Sequence, residues 1–308
     1  MRAAWYESAG PASEVLSVGE MEAPRSGPEE VLVRVSASGV NPGDVKKRAD
    51  WIGLGIGYPR VIPHSDGAGE IEGVGEGVAS SRIGERVWVW GAQSGRPFGT
   101  AAEYVALPGK QAVALPEGVG FEVGACLGIP ARTAHRCVFA DGPLSGKTVL
   151  VAGGAGAVGD FAVSFAKWGG AEVIASVGSE EQAEVALEAG AGHDLNYRTD
   201  DVVARVGEMD TEALAPLGTI AAYSSDAEAE PTLPFWPLLF KNATIRLVGS
   251  DDLPEAANRK AATDITTCLE SGVLRPRIAS RYPLARIAEA YEAVESGQSG
   301  GRVILDID

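Results

Sequence analysis

The pattern of apolar and polar positions changes character near Val119. Before it, short β-rich or alternating runs recur at Arg2–Tyr6, Val31–Ala37, Gly67–Val74, Arg86–Val89 and Ala102–Ala106. Turn signals separate them, at Ala23-Pro24, Ser26-Gly27-Pro28 and Gly75-Glu76-Gly77, because Gly and Pro supply the backbone angles that tight reversals need. Several short strands at close spacing predict a compact, barrel-like β domain. After Val119 the spacing turns helical over Phe121–Ala140, and from Lys147 strand and helix patterns alternate. They predict strand 148–152, helix 158–168, strand 172–176, helix 180–189 and a short strand at 193–195, then strands at Ile220–Tyr223 and Ile245–Val248. Such alternation implies a parallel, doubly wound sheet in an α/β fold. Helices at Ala256–Ser271 and Leu284–Glu295 and a strand at Arg302–Asp306 follow. The final helix and strand continue no βα alternation, so they are expected to return to the N-terminal domain. The predicted domains are therefore 1–120 with 272–308, and 121–271 inserted between them.

The inserted domain opens on a strand, a glycine turn and a helix. Val149–Val151 is an apolar run, followed by Gly153, Gly154, Gly156 and Gly159, and then by apolar residues at helical spacing over Phe161–Lys167. In this context the Gly-x-Gly-x-x-Gly pattern indicates a dinucleotide site. Gly154 allows the tight turn, Gly156 lets the backbone approach a pyrophosphate, and Gly159 lets helix and strand pack closely. N–H groups around Ala157 and Val158, at the helix N-terminus, then face the phosphates with the positive end of the helix dipole. After the second strand, Gly178-Ser179 carries no acid to hold a ribose 2′-hydroxyl. Ser179 can donate to a 2′-phosphate and Arg198, beside Tyr197, can supply charge, which favours NADPH over NADH. Ser179 also suits a helix N-cap, and the two roles are compatible.

The chain has 308 residues, 45% hydrophobic and 22% charged, as expected of a folded protein with two domains. Its formal charge of −16 counts against nucleic acid or an anionic membrane as partner, because phosphate binding needs clustered Lys and Arg. No charged-then-apolar leader stands at 1–19 and no apolar run reaches membrane length, so a cytoplasmic location is expected. Cys126, Cys137 and Cys268 are widely spaced and suit reduced, buried thiols.

Several segments together resemble the zinc-independent medium-chain dehydrogenases/reductases of the quinone oxidoreductase (zeta-crystallin-like) branch, nearly end to end. They are Asn41-Pro42-Gly43-Asp44, Pro63–Gly69 with Asp66 at its centre, Gly99–Tyr104, Leu127–Ala134, Ser176–Glu181 and Asn196-Tyr197-Arg198. The resemblance implies a GroES-like catalytic domain built from both chain ends, a Rossmann domain between, and a homodimer. It implies Asn41 near the nicotinamide and the acceptor carbonyl, Asp44 supporting its loop, and Thr133 with the backbone around Leu247 and Gly249 at the nicotinamide end. The activity implied is hydride transfer from NADPH to a quinone or α,β-unsaturated carbonyl, of EC 1.6.5 type. From the residues alone, Asn41-Pro42 also reads as a turn initiator and Asp44 as a helix N-cap.

Zinc-containing relatives share that fold, and a catalytic zinc needs three protein ligands. Asn41, Ser65 and Ile129 stand where those relatives carry theirs, so no metal is expected. His64 is expected to be a loop side chain replacing a family glycine and crowding the cleft. Trp51, Tyr58, Trp88, Trp90 and Phe98 offer flat surfaces for an acceptor. An enoyl-thioester reductase remains open, with Lys46, Lys47, Arg48 and Arg96 as candidates for the thioester's phosphates.

One region departs from the pattern. A βαβ passage takes about 30 residues, and between Tyr197 and the strand at Thr219 there is room for much less. About one βα unit is expected to be missing near 206–214. Either Val202–Val206 becomes a strand or the sheet closes up without it, and a cofactor-binding but catalytically impaired relative is an open alternative. Downstream, the proline-rich apolar stretch 231–240 is expected to be a loop whose Phe235, Trp236 and Phe240 are buried at a subunit interface, with strand 245–248 pairing across a two-fold axis.

Overall fold

A computed structural model describes residues 1–200, 214–224, 230, 232–297 and 300–307. The chain divides into two units, Met1–Ile129 with Ala262–Asp308, and Pro130–Ala261. The inserted unit is thus shorter at both ends than 121–271. At its front edge the reason is local. Helix α3 (Phe121–Gly124) packs on strands of the first unit, and the Ile129 N–H bonds to Asp66 there.

Unit one is organised by β3 (Glu30–Val40), a long strand whose alternate residues Val31, Val33 and Val35 are buried. It pairs antiparallel with β4 (Asp66–Val74) along most of its length, with β6 (Tyr104–Pro108) at its start and with β14 (Arg302–Asp306) at its end. β5 (Arg86–Val89) and β7 (Ala112–Ala114) extend the sheet beyond β4, and β13 (Ile278–Pro283) lies parallel to β14. β1 (Arg2–Trp5) and β2 (Ser17–Glu20) form a separate ribbon. Val33, Ile71, Val87, Leu107, Tyr291 and Leu305 belong to one buried cluster, so residues from both chain ends share a core. The expected return of the C-terminal helix and strand is observed: α9 (Ile287–Glu295) and β14 lie in this unit.

Unit two carries the parallel strands in two pieces. β8 (Thr148–Ala152), β9 (Glu172–Val177) and β10 (His193–Asn196) run in the order β10-β9-β8. β11 (Thr219–Ala222) and β12 (Thr244–Leu247) pair separately. Among the described residues β8 and β11 are not paired to each other. The missing unit expected near 206–214, and the alternative strand Val202–Val206, lie outside the described residues apart from Leu214. In the first piece β9 is buried nearly throughout, whereas Leu150 of β8 is 37% exposed. Helix α5 (Gly159–Trp168) buries Phe161, Val163 and Phe165, and α6 (Glu180–Glu188) packs on β9 and β10. In the second piece Ile220 and Ile245 are exposed and Leu247 is 82% exposed.

Two expected elements are corrected. The single helix over Phe121–Ala140 is three segments: α3, a wide turn at Leu127–Ala131 and α4 (Arg132–Phe139). Pro130 has no N–H to give to a helical ladder, and the neighbouring Ile129 N–H is diverted to Asp66. The stretch expected as a loop contains helix α7 (Phe235–Phe240), and Pro231 lies outside the described residues. Pro237 falls in the first turn, where its missing N–H costs no intrahelical bond.

Candidate functional site

The first half-site lies where β3 hands over to α2 (Pro42–Ala49). Asn41 is extended (φ −114°, ψ 154°) and is the N-cap, followed by Pro42 at the first helical position. The N-cap reading raised for Asp44 is therefore corrected to Asn41. Asp44, one turn in, accepts from the Asn41 N–H at 2.8 Å, the reciprocal half of a capping box. The Asn41 side chain turns toward β4, where its Nδ2 donates to Asp66 Oδ2 at 2.8 Å. The Ile129 N–H donates to the same oxygen at 2.8 Å. A carboxylate oxygen can only accept, so this contact fixes which end of the Asn41 amide is nitrogen. Of its two N–H bonds, one is spent on Asp66; the other has no acceptor among the described residues. Gly128 completes the pocket around Asp66, because a Cβ there would stand 1.9 Å from Oδ1.

Behind this pair lies a buried polar layer. Asp44 and Arg48 of α2 and Tyr291 of α9 are almost wholly buried. Arg48 pairs with Glu295 and stacks on the Tyr291 ring at 5.6 Å. Burial, reinforced by the Asp44 charge, pushes the Tyr6 hydroxyl up to about 12 and the Tyr291 hydroxyl well above its ordinary value. His64 is not a side chain crowding an open cleft: it is fully buried and bonded through Nδ1 to Ser38. Arg48 is also removed from the list of exposed basic groups. Arg96 is spent too, with Nη2 on Gly91 O (3.1 Å) and Gln111 Oε1 (2.7 Å). Trp88 is entirely core, whereas Trp51 and Tyr58 are exposed. Phe98 lines a cavity of about 440 Å³ with Met21, Arg96 and Tyr104, to which neither Asn41 nor Asp66 contributes.

The second half-site is the glycine turn between β8 and α5. A Cβ on Gly154 would lie 2.6 Å from the Ala175 Cβ on β9, and one on Gly159 would lie 2.1 Å from Gly153 O. Both glycines are therefore required by packing alone. Gly156 differs in degree: a Cβ there would meet Gly153 O at 3.2 Å, a tight contact, but with none of the sub-3 Å clashes found at Gly154 and Gly159. The Val158 N–H, one residue ahead of α5, has no backbone acceptor among the described residues. The less confined Gly156 beside a helix N-terminus fits a pyrophosphate.

At the tip of β9, Ser179 caps α6 by accepting from the Gln182 N–H at 3.3 Å, so the N-cap reading holds. A hydroxyl accepting that bond keeps its proton available. The Gly178 N–H donates to Gln182 Oε1 at 2.8 Å, and a Cβ on Gly178 would meet the Tyr197 hydroxyl at 2.5 Å. Gly178, Ser179 and Tyr197 are thus brought together, with Arg198 against the Tyr197 ring at 5.9 Å. Thr133 is buried in α4. Leu247 is exposed at the end of β12, and nothing stands within 4 Å of a Cβ built on Gly249.

The residues do not fit a zinc ion. Asn41 uses its amide on Asp66, Ser65 is a buried hydroxyl, and Ile129 offers only backbone. Among the described residues no three His, Cys, Asp or Glu side chains are grouped as metal ligands. Ser38 and Thr100, which bond to each other and to the His64–Asp66 segment, were not foreseen, since buried hydroxyls on strands leave no periodic signal.

Residues 27–117 match the family model of the alcohol dehydrogenase GroES-like domain, and residues 157–211 that of the zinc-binding dehydrogenases. A quinone oxidoreductase from Lama guanicoe is 30% identical over 90% of this chain and 89% of its own. A mycobacterial protein solved in complex with NADPH superposes with a TM-score of 0.85 at 25% identity, over 99% of this chain and 100% of its own. An NAD-dependent alcohol dehydrogenase superposes at 0.86 with 27% identity over the whole of both chains. With sequence similarity of that extent across both units, the chain belongs to the medium-chain dehydrogenases/reductases, in their quinone-oxidoreductase-like branch.

Proposed function

We propose that this protein is an NADPH-dependent oxidoreductase that reduces a quinone or an α,β-unsaturated carbonyl without a metal. The observation that carries the reading is the glycine turn, closed by packing at Gly154 and Gly159, less confined at Gly156, and followed by a Val158 N–H with no backbone acceptor among the described residues. Gly156, Ala157 and Val158 would hold the pyrophosphate, and Ser179, Tyr197 and Arg198 the 2′-phosphate. Thr133 with the backbone at Leu247 and Gly249 would serve the nicotinamide end. The cofactor, when bound, supplies a hydride. The protein's own part at the acceptor falls to Asn41, whose second N–H can donate to a carbonyl oxygen as it gains charge. Asp66 keeps that amide from turning, and Asp44 keeps the helix start in place.

The relatives support both nicotinamide cofactors, one solved with NADPH and one described as NAD-dependent. The absence of an acid at Gly178-Ser179 favours NADPH here. Quinones and enals are preferred over enoyl thioesters because Arg48 is buried against Glu295 and Arg96 is bonded to Gly91 and Gln111. The decisive measurement is NADPH oxidation against a panel of quinones, enals and enoyl thioesters, beside direct NADPH binding by fluorescence. Turnover with the first two classes supports the proposal. Tight NADPH binding with no turnover on any of them supports instead a non-catalytic relative, a reading favoured by the exposure of Leu247.

Homodimerisation belongs to the same proposal. Phe235, Trp236 and Phe240 of α7 are at least 64% exposed, with Trp236 stacked on Phe240 at 6.1 Å. With exposed β12 nearby in sequence, they suit burial against a second copy. Light scattering on the wild type and on Trp236→Glu tests this; two monomeric proteins would refute it.

A further inference from the structure

His64 is wholly buried and its backbone is left-handed at φ +75°. A non-glycine residue in that region pays a conformational cost, so the side chain is expected to do something a glycine there would not. What it does follows from counting protons. Thr100 Oγ1 lies 2.6 Å from Asp66 O; a carbonyl only accepts, so Thr100 spends its proton there. Ser38 Oγ lies 2.7 Å from Thr100 Oγ1 and must therefore be the donor in that pair. With its own proton spent, Ser38 can only accept across the 2.8 Å contact to His64 Nδ1. The imidazole must carry its proton on Nδ1. The other tautomer would set two lone pairs against each other at hydrogen-bond distance.

The surroundings agree with a neutral ring. Burial pushes the His64 imidazole down to about 3, its face stacks on Tyr291 at 5.6 Å, and Nε2 has no partner. The Thr100 N–H also donates to His64 O at 3.0 Å, so the two segments are joined by backbone and side chain alike.

We propose that His64 is a positioning residue for Asn41: as the Nδ1–H tautomer it heads a fixed chain of donors, through Ser38 and Thr100, that anchors the Asp66 backbone and so the carboxylate holding the Asn41 amide. No proton moves along the chain; its work is orientation. The link from His64 to Asn41 stands on the hydrogen bonds alone, while its effect on turnover rests on the proposed role of Asn41 at the acceptor.

Three variants and two readouts test it. His64→Leu fills the ring's space without a donor. His64→Gly also lacks the donor but accepts the positive φ freely, which guards against misfolding of the first. His64→Asn tolerates positive φ and can place an amide N–H where Nδ1–H stood. Long-range proton–nitrogen NMR on histidine-labelled protein, with His64 assigned by its loss in a variant, is expected to show the Nδ1–H tautomer. The side-chain amide signals of Asn41 are expected to shift in His64→Leu or His64→Gly and to return in His64→Asn. In the reductase assay the donor-less variants should lose about tenfold in kcat at unchanged KM for NADPH, and the asparagine variant should recover most of it. An Nε2–H tautomer, or Asn41 signals indifferent to the loss of the donor, overturns the proposal. Should the NMR result hold while kcat is unmoved, the effect on turnover is refuted. Should no acceptor turn over even in the wild type, the proposed function fails and the NMR link alone stands.

Discussion

The two units solve the same problem, burying a sheet, with different completeness. In the first, β3 has a neighbour on both sides along its length, and buried residues from both chain ends pack around it. In the second, β8 and β11 each present an edge among the described residues, and the β11–β12 pair leaves Ile220, Ile245 and Leu247 exposed. Yet the glycine turn belongs to the second unit and the Asn41–Asp66 pair to the first. On the proposed function, ligand holding falls to the second unit and orientation of the polar site to the first. The contrast teaches that the fingerprint turn depends on local neighbours: it leans on β8, β9 and α5, of which β9 and α5 are buried nearly throughout.

The strongest way to break the comparison is to place the same small change in each unit. Gly69→Ala would set a methyl 1.9 Å from Arg34 O between β3 and β4. It should destabilise the first unit by about 3 kcal/mol, read as a fall in the urea midpoint. Gly156→Asp, whose Cβ would meet Gly153 O at 3.2 Å, should lower the midpoint much less while weakening NADPH binding by about 100-fold, since negative charge enters the helix N-terminus. If Gly156→Asp unfolds the protein, the turn is structural first and the division of labour is wrong.

Asn41→Ser keeps an N-cap but removes the amide. It should lower kcat by about 30-fold with the dissociation constant for NADPH unchanged, a loss confined to the first unit's role. Next in size is a pH effect. His64 has its folded value depressed from 6.5 to about 3, so the unfolded chain takes up a proton that the folded one refuses. Stability is full above pH 6.5 and is lost as pH falls toward about 3, by at most about 1.4 kcal/mol per pH unit. Urea midpoints from pH 7 to 5 should fall more steeply for the wild type than for His64→Asn; parallel curves would refute the assignment. Smallest is Arg198→Ala, which should reduce the preference for NADPH over NADH about fivefold at low salt, as expected for an exposed charge on a phosphate.

Much of this was legible in the residues. The strand–glycine–helix order at 148–168 is legible almost to the residue because the apolar run Val149–Val151 meets a glycine turn and α5 is buried along nearly all its length. β13 was missed: Ile278–Pro283 alternates only half-buried and exposed positions, and its place is set by β14, whose sequence lies further on. The break at Pro130 needed knowledge of Asp66, a partner 63 residues away. The same holds for the site. Asn41 and Asp44 stand in a recognisable segment, but that Asn41 rests on Asp66, and Asp66 on Thr100 and Ser38, is a property of strands β3 and β4 in register. Hydroxyls give no periodicity, and their hydrogen bonds join residues chosen by topology.

The pairing of β14 with the end of β3, Val303 opposite Val40, also bears on how the molecule is made. A ribosome releases β3 long before it releases β14, and the whole of unit two is synthesised in the interval. During that interval the C-terminal half of β3 lacks one of its two neighbours, and the Tyr291 that will cover His64 has not been translated. The inserted unit, one continuous stretch at 130–261, can begin to fold as it emerges. The polar site around Asn41 can be completed only once translation has nearly finished, so a nascent chain stalled before residue 280 could acquire its glycine turn while having no settled Asn41.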